Sequence, residues 1–312
     1  MADFLCIDGG TTNTRVTLVS NGSVIDAERY NIGSGKGRDD LLLKKTLKSG
    51  IEQIIERQGI SIRSVEAVLV SGMITGGGGL CEIHHIAAPA GLKELHNAMM
   101  IRYIPEICDI PFNFIPGVKT VSETLENADI MRGEETELMG LNIDISDSMV
   151  LLPGSHSKCI SVSENGKIDK FRTFLTGEMI YALSRATILS GTVDLTYPTD
   201  KDYLIKGYEY CKKYGINEAL FKVRISDMLF DRTPAQRMGF FTGAVLYGEI
   251  KRITEFPQTR VIVAGKKELK DPAVYLLRRF SRKEVICVSD NAAADAPALG
   301  AVKIYEGRHY KG

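Results

Sequence analysis

The 312-residue chain has no surplus of charge of either sign, because Lys plus Arg (39) equals Asp plus Glu (39). Without a basic excess it has no long-range electrostatic grip on nucleic acid or on an anionic membrane. Long apolar runs are missing too: none approaches a bilayer-spanning length, and the N-terminus has no charged-then-apolar signal. Cysteine is scattered, at Cys6, Cys81, Cys108, Cys159, Cys211 and Cys287, with no paired spacing and no zinc-ligand pattern. Several of these lie in apolar runs and read as buried thiols, so the expected compartment is a reducing cytoplasm. No strand ends in a Gly-x-Gly-x-x-Gly turn, which argues against a dinucleotide-binding oxidoreductase. The glycine-rich loop Gly33-Ser34-Gly35-Lys36-Gly37-Arg38 is not a P-loop, because Lys36 is followed by Gly37 rather than Ser or Thr. His84 and His85 lack a third nitrogen or thiolate at ligand spacing and read as packing or surface residues.

What is present is concentrated first at the start. The apolar run Phe4 to Ile7 ends in Asp8, passes through Gly9, Gly10, Thr11 and Thr12, and re-enters an alternating run through Val19. That pattern predicts strand, tight turn, strand. The turn offers unhindered backbone N–H groups at Gly9 and Gly10 and hydroxyls at Thr11, Thr12 and Thr14, which suit phosphate oxygens. Asp8 at the strand end offers the carboxylate that a hard cation such as Mg²⁺ takes, usually through water.

Asn21-Gly22 signals a hairpin into a third strand, Ser23 to Tyr30. Asp39 is expected to cap a helix to about Gln58, with Leu42, Leu43, Leu47, Ile51, Ile54 and Ile55 on its apolar side. Val65 to Val70 is a buried strand that ends at Ser71-Gly72-Met73-Ile74-Thr75 and the glycines Gly76 to Gly79. Ligands bind at strand ends in α/β sheets, so this loop is a candidate wall of the ligand cleft. Pro89-Ala90-Gly91-Leu92 leads into a helix expected to reach Ile101, and a short strand follows at Pro111 to Ile115.

The second half restarts the pattern. A strand at Met149 to Leu152 meets a turn with Gly154, Ser155, His156, Ser157 and Lys158, and Asn165-Gly166 answers Asn21-Gly22. Two strand–turn–strand–turn–strand units roughly 140 residues apart indicate an internal duplication. A mostly helical stretch follows to about Phe230. Thr233 then caps a helix with Pro234 at its first position, Arg260 to Ala264 is a strand ending in Gly265-Lys266, and Asp271 caps a helix over Pro272 to Phe280. A last strand is expected at Glu284 to Val288 and a last helix at Ala292 to Tyr305.

The opening turn resembles the first phosphate loop of the actin-like ATPase and sugar kinase superfamily. Ser71-Gly72-Met73, Pro89-Ala90-Gly91-Leu92, Met131-Arg132-Gly133-Glu134-Glu135-Thr136, Leu152 to Lys158 and Phe171 to Glu178 occur in the same order as in 2-dehydro-3-deoxygalactonokinases. The resemblance spans essentially the whole chain. It implies an α/β, two-lobed actin-like (ribonuclease H-like) fold made of duplicated domains with a nucleotide cleft between them. The lobes would be residues 1–142 and 143–312, the second with a helical insert over about 176–230. The implied activity is transfer of the γ-phosphoryl of ATP, with Mg²⁺, to the 6-hydroxyl of 2-dehydro-3-deoxy-D-galactonate in galactonate catabolism. The partners are then small molecules, ATP and a sugar acid, with homo-oligomerisation left open. A kinase of a related 2-keto-3-deoxy sugar acid and a non-catalytic ATP sensor are the competing readings.

In that frame Gly10, Thr11, Thr12 and Asn13 fit a phosphate cradle, Asp8 the metal side, and Arg15 a complement to phosphate charge. Ser155, His156, Ser157 and Lys158 form the second phosphate turn, and Gly265 and Lys266 the adenosine corner. Ser71, Gly72, Met73, Arg172, Thr176, Gly177 and Glu178 fit the acceptor, Arg172 through the carboxylate. The base that deprotonates the acceptor hydroxyl is expected at the start of the helix opening at Gly133, with Glu134 first and Asp129 and Glu135 behind it. Two departures stand out: Gly9 and Cys159 replace tryptophans usual in the family, and the chain has no Trp at all. The Gly76 to Gly79 loop replaces a polar and aromatic one, so the identity of the acceptor is the open part.

Overall fold

The computed structural model describes residues 2–34 and 40–307. The expected cap Asp39, and Gly35 to Arg38 of the glycine-rich loop, lie outside the described residues. The chain opens with β1 (Asp3–Gly9), β2 (Thr14–Ser20) and β3 (Ser23–Tyr30), then α1 (Asp40–Gln58) and β4 (Val65–Gly72). Next come β5 (Ile86–Ala87), α2 (Leu92–Asn97), β6 (Met100–Arg102), β7 (Phe112–Phe114), β8 (Val118–Thr120), β9 (Asp129–Met131) and α3 (Glu134–Gly140). The second half holds β10 (Ser148–Leu152), β11 (Ser157–Val162), β12 (Ile168–Phe174), α4 (Thr176–Ala186), α5 (Lys201–Tyr214) and α6 (Ile216–Met228). It continues through α7 (Pro234–Glu255), β13 (Arg260–Val263), α8 (Lys267–Phe280), β14 (Glu284–Cys287) and α9 (Asp290–Glu306). No helix among the described residues is long and apolar enough to cross a membrane.

Two compact units result. Among the described residues one takes 2–146, 165–170 and 291–307, and the other takes 147–164 and 171–290. Each contains the same five-strand order, β3-β2-β1-β4-β7 in the first and β12-β11-β10-β13-β14 in the second. In both, the first strand runs antiparallel to the second and parallel to the fourth. This is the duplication the repeated hairpins indicated. The two Asn-Gly turns differ in detail: Asn21 and Gly22 both have positive φ, as a tight two-residue hairpin requires, whereas of the second pair only Gly166 does.

The core of the first unit sets Leu5, Ile7, Val16 and Leu18 of the strands against Leu47, Ile51 and Ile54 of α1, with Phe112 and Phe114 behind β4. In the second, Met149, Leu151, Val261 and Val263 pack under Leu246, Ile250 and Ile253 of α7 and under Leu276 and Leu277 of α8. Alternate strand residues and i, i+3/i+4 helix residues supply these faces. Helix α5 adds Leu204 and Tyr208 to the same core. Helix α9 returns to the first unit, where it crosses α3 at glycines. A Cβ on Gly140 would lie 1.7 Å from the Ala296 carbonyl oxygen and one on Gly300 1.8 Å from that of Thr136, so only hydrogen fits at either point.

Three local expectations change. The helix expected to reach Ile101 stops at Asn97, and Met100–Arg102 pairs antiparallel with β7. The open edge of β7 outweighs the local helical pattern there. Helix α8 begins at Lys267, five residues before Pro272, with Lys266 rather than Asp271 at its cap. A proline near a helix start costs one backbone bond, here to the Glu268 carbonyl, and the buried side chains of α8 hold the helix regardless. The small sheet β5-β8-β9 has no counterpart in the sequence pattern.

Candidate functional site

In the first unit the end of β1 is the focus. Asp8 stands opposite Arg15 on β2 and Ser71 on β4, and these three help line one small cavity with Cys6, Thr17, Pro297 and Ala298. Burial, then the charge of Glu134, raises the Asp8 carboxyl to about 6, with Arg15 opposing. Arg15 is turned toward α9, where its guanidinium donates to the Ala294 carbonyl and lies 3.9 Å from Asp295. In the turn, the Gly10 N–H donates to the Asn13 carbonyl at 2.8 Å and the Asn13 amide to the Thr12 hydroxyl at 2.8 Å. Thr11 and Thr12 are exposed, while Thr14 is buried and donates to the Ile32 carbonyl. A side chain at position 9 has no room, since a Cβ there would lie 2.6 Å from that of Ile74.

The acidic helix α3 packs directly on the end of β4. Gly72 and Gly133 have φ of +84° and +109°, and a Cβ on Gly133 would come within 3.1 Å of the Gly72 Cα. That approach brings Glu134, the first residue of α3, into electrostatic reach of Asp8. Glu134 Oε2 accepts the Arg132 N–H at 3.0 Å. Glu135 is fully buried, takes the Gly133 N–H on both oxygens at 2.8 and 2.9 Å, and is raised by burial to about 8. Asp129 lies on β9, an extended strand rather than a helical turn, and accepts the Ile130 N–H at 2.7 Å. Burial, with Glu134 and Asp8, raises Glu137 to about 8.

Arg132 had no role in the sequence reading, although it stands in a quoted motif. Its guanidinium donates to the Thr75 carbonyl at 2.8 Å, the Thr75 hydroxyl at 2.6 Å and the Ile83 carbonyl at 2.8 Å. It also lies 3.2 Å from His85 Nδ1, and burial followed by this cation lowers the His85 imidazole to about 4. Both ends of the Gly76 to Gly79 loop are thereby tied to the strand that enters α3. Of the motif Ser71-Gly72-Met73, Ser71 is buried and Met73 exposed.

In the second unit the turn after β10 docks on the start of α4. The Gly177 N–H donates to the Gly154 carbonyl at 3.0 Å and the Glu178 N–H to the Ser155 carbonyl at 3.2 Å. His156 Nε2 lies 3.0 Å from Glu178 Oε1. The turn carries an exposed Ser155, a buried Ser157 and a buried Lys158 whose ammonium donates to the His156 carbonyl at 3.2 Å. Gly265 has φ of +123°, close against Pro153, and the exposed Lys266 caps α8. Arg172, on β12, donates to the Phe171 carbonyl at 3.0 Å.

Sequence reasoning missed Glu249. This residue of α7 is 1 % exposed, accepts from the Thr176 hydroxyl on Oε1, and is raised to about 8 by burial, with the Ser157 hydroxyl partly opposing. A carboxyl between Leu246 and Ile253 on the apolar face of a helix was the available signal.

Among the described residues no group of three His, Cys, Asp or Glu is arranged to hold a metal ion. A cation shared with phosphate oxygens needs fewer protein ligands, and oxygen-only donors at Asp8 beside Glu134 suit a hard divalent ion.

A family model described as 2-keto-3-deoxy-galactonokinase matches residues 8–298. A probable 2-dehydro-3-deoxygalactonokinase of Rhizobium meliloti (strain 1021) is 28 % identical over 194 residues, 61 % of this chain and 59 % of that protein. The 2-dehydro-3-deoxygalactonokinase of Escherichia coli (strain K12) is 23 % identical over 265 residues, 82 % of each. The crystal structure of a candidate 2-dehydro-3-deoxygalactonokinase from Sinorhizobium meliloti superposes with a TM-score of 0.77 at 22 % identity, covering 96 % of this chain and 97 % of that one. The activator of 2-hydroxyisocaproyl-CoA dehydratase from Clostridium difficile, solved with bound ADPNP, does so with 0.52 at 13 % identity, covering 98 % and 95 %. The fold is that of the actin-like ATPases.

Proposed function

Because the chain belongs to the 2-keto-3-deoxy-galactonokinase family, we propose that it transfers the γ-phosphoryl of ATP to the 6-hydroxyl of 2-dehydro-3-deoxy-D-galactonate, as a step of galactonate catabolism. One observation carries the reading: a single family match runs from Asp8 to Ala298, through both phosphate turns and the acidic helix. The ATP half is supported by a relative of the same fold that binds ADPNP.

Phosphoryl transfer is mostly positioning and charge neutralisation. Thr11, Thr12 and Asn13 offer phosphate donors in the first unit; Ser155, His156 and Lys158 do so in the second. When bound, Mg²⁺ supplies charge neutralisation at the phosphates. Asp8 fits it, because a cation would offset both causes that raise the Asp8 carboxyl, its burial first and the repulsion from Glu134 second. Glu134 is the base of choice. It opens α3 within electrostatic reach of Asp8, whereas Glu135 is buried with both oxygens engaged. Its carboxylate takes the proton of the attacking hydroxyl as the new O–P bond forms and the bond from the γ-phosphorus to the bridging oxygen breaks, releasing ADP. Arg172 pairs with the acceptor carboxylate, and Ser71, Gly72, Met73, Thr176, Gly177 and Glu178 shape the acceptor's surroundings.

The test is coupled ADP release over a panel of 2-keto-3-deoxy sugar acids. The expected result is turnover that depends on the acceptor and is fastest with 2-dehydro-3-deoxy-D-galactonate. Preference for an epimer would reassign the substrate, and slow hydrolysis indifferent to every acceptor would make the protein an ATP sensor.

A further inference from the structure

The second phosphate turn is held by something the sequence motifs do not include. Three backbone and side-chain ties come from α4: Gly177 N–H to Gly154, Glu178 N–H to Ser155, and Glu178 to His156. Beneath them lies Glu249, reaching from α7, a different helix 73 residues further along the chain than Thr176. Its Oε1 accepts from Thr176, the first residue of α4, and the Ser157 hydroxyl, the first residue of β11, faces the same carboxyl. Ser157 Oγ in turn accepts the Gly154 N–H at 3.2 Å. One carboxyl therefore touches both walls of the turn that carries Ser155, His156 and Lys158. Its Oε2 is buried and makes no hydrogen bond.

We infer that Glu249 is a positioning residue that locks the Ser155–Lys158 turn to the start of α4 and so sets the turn's affinity for the nucleotide phosphates; this rests on the kinase reading above. The carboxyl acts by hydrogen bonding rather than by charge. A group with 1 % exposure and one oxygen without a partner is far costlier as an anion than as a neutral acid, and burial raises it accordingly. Removing it leaves the hydroxyls of Thr176 and Ser157 facing an apolar wall, and the turn is then free to drift from the geometry the phosphates need. Displacements of that kind weaken the grip on the ligand that the turn holds.

The experiment compares Glu249→Met, which keeps the volume without the polar atoms, with Glu249→Gln, which keeps an acceptor and a donor. Two readouts are taken: amide hydrogen exchange over residues 154–158, and KM for ATP against KM for the sugar acid. Glu249→Met is expected to speed exchange in that segment and raise KM for ATP about tenfold, the equivalent of one or two lost hydrogen bonds. Glu249→Gln is expected to recover most of both losses. Thr176→Val, which deletes the partner hydroxyl in place, should reproduce the faster exchange if Glu249→Met does not fold. Unchanged exchange in both Glu249→Met and Thr176→Val overturns the inference. So does faster exchange with an unaltered KM for ATP, or a Gln variant as impaired as Met. Should the wild-type protein release no ADP with any acceptor, the kinase reading fails by itself, and exchange with MgADP affinity decides the role of Glu249.

Discussion

At the scale of single residues, burial raises four carboxyl groups: Asp8 to about 6, and Glu135, Glu137 and Glu249 to about 8. A carboxyl raised in the folded state binds its proton more tightly there than in the unfolded chain. Between about pH 4.5 and 8 the native state therefore holds more protons, and stability falls as pH rises through that window. Glu249→Gln removes one such group, so the variant should gain stability over the wild type as pH rises from 5 to 8, by a few kcal/mol at most. Urea unfolding at both pH values checks this; an equal difference at pH 5 and pH 8 would exclude ionisation as the cause. Glu134 stands at a helix start, within electrostatic reach of Asp8. Glu134→Gln should lower kcat by roughly 10²–10⁴-fold with little change in KM for ATP, the usual range for loss of a general base. If Asp129→Asn does this instead, the proton goes to the strand and not to the helix.

At the scale of elements, short segments are held by single side chains from elsewhere. The glycines Gly76 to Gly79 favour a loose connector, yet Arg132 ties Thr75 and Ile83 to the strand leading into α3. Arg132→Met removes these charge-assisted bonds, and should cost about 2 kcal/mol of stability and speed hydrogen exchange between residues 75 and 83. It should also let His85 titrate closer to an ordinary imidazole, because one cause of its lowered value is this guanidinium. Proton NMR of the His85 ring reads that shift directly; an unmoved titration would mean that burial alone sets it. Helix α7 shows the opposite case, an end held by its own residues. Thr233 and Gln236 form a reciprocal capping box with Pro234 at the first position.

For the whole molecule, the chain order and the compact units disagree in an instructive way. The first unit is not finished until α9 returns, carrying Ala294, Asp295, Ala298 and Gly300 against Arg15, Cys6 and α3. A chain cut after residue 289 should therefore lose the native packing of the first unit. The α3 face at Gly140 and the face of β1 at Cys6 would stand exposed, and Tyr305 would leave Phe4, its ring partner at 5.5 Å. Fast, unprotected hydrogen exchange in β1 and β4 of the truncated chain is the expected signature. Native protection there would show that the first unit closes without α9.

The sequence by itself determined the features that depend on neighbours within a few residues. The strand–turn–strand at Asp8, the Asn21-Gly22 hairpin, the Thr233-Pro234 helix start and the repeat of the opening unit all follow from local turn chemistry and periodicity. The ordered motifs from Ser71 to Glu178 identified the family, which the match over residues 8–298 bears out. Tertiary structure decided the rest. Met100–Arg102 became a strand because β7 offered an edge, and Arg15 turned to a carbonyl 279 residues away. Glu249 met Thr176 and Ser157 only when α7 was laid on β11 and α4. The state of a buried carboxyl is set by every atom that keeps water from it, and those atoms come from the whole core rather than from adjacent positions.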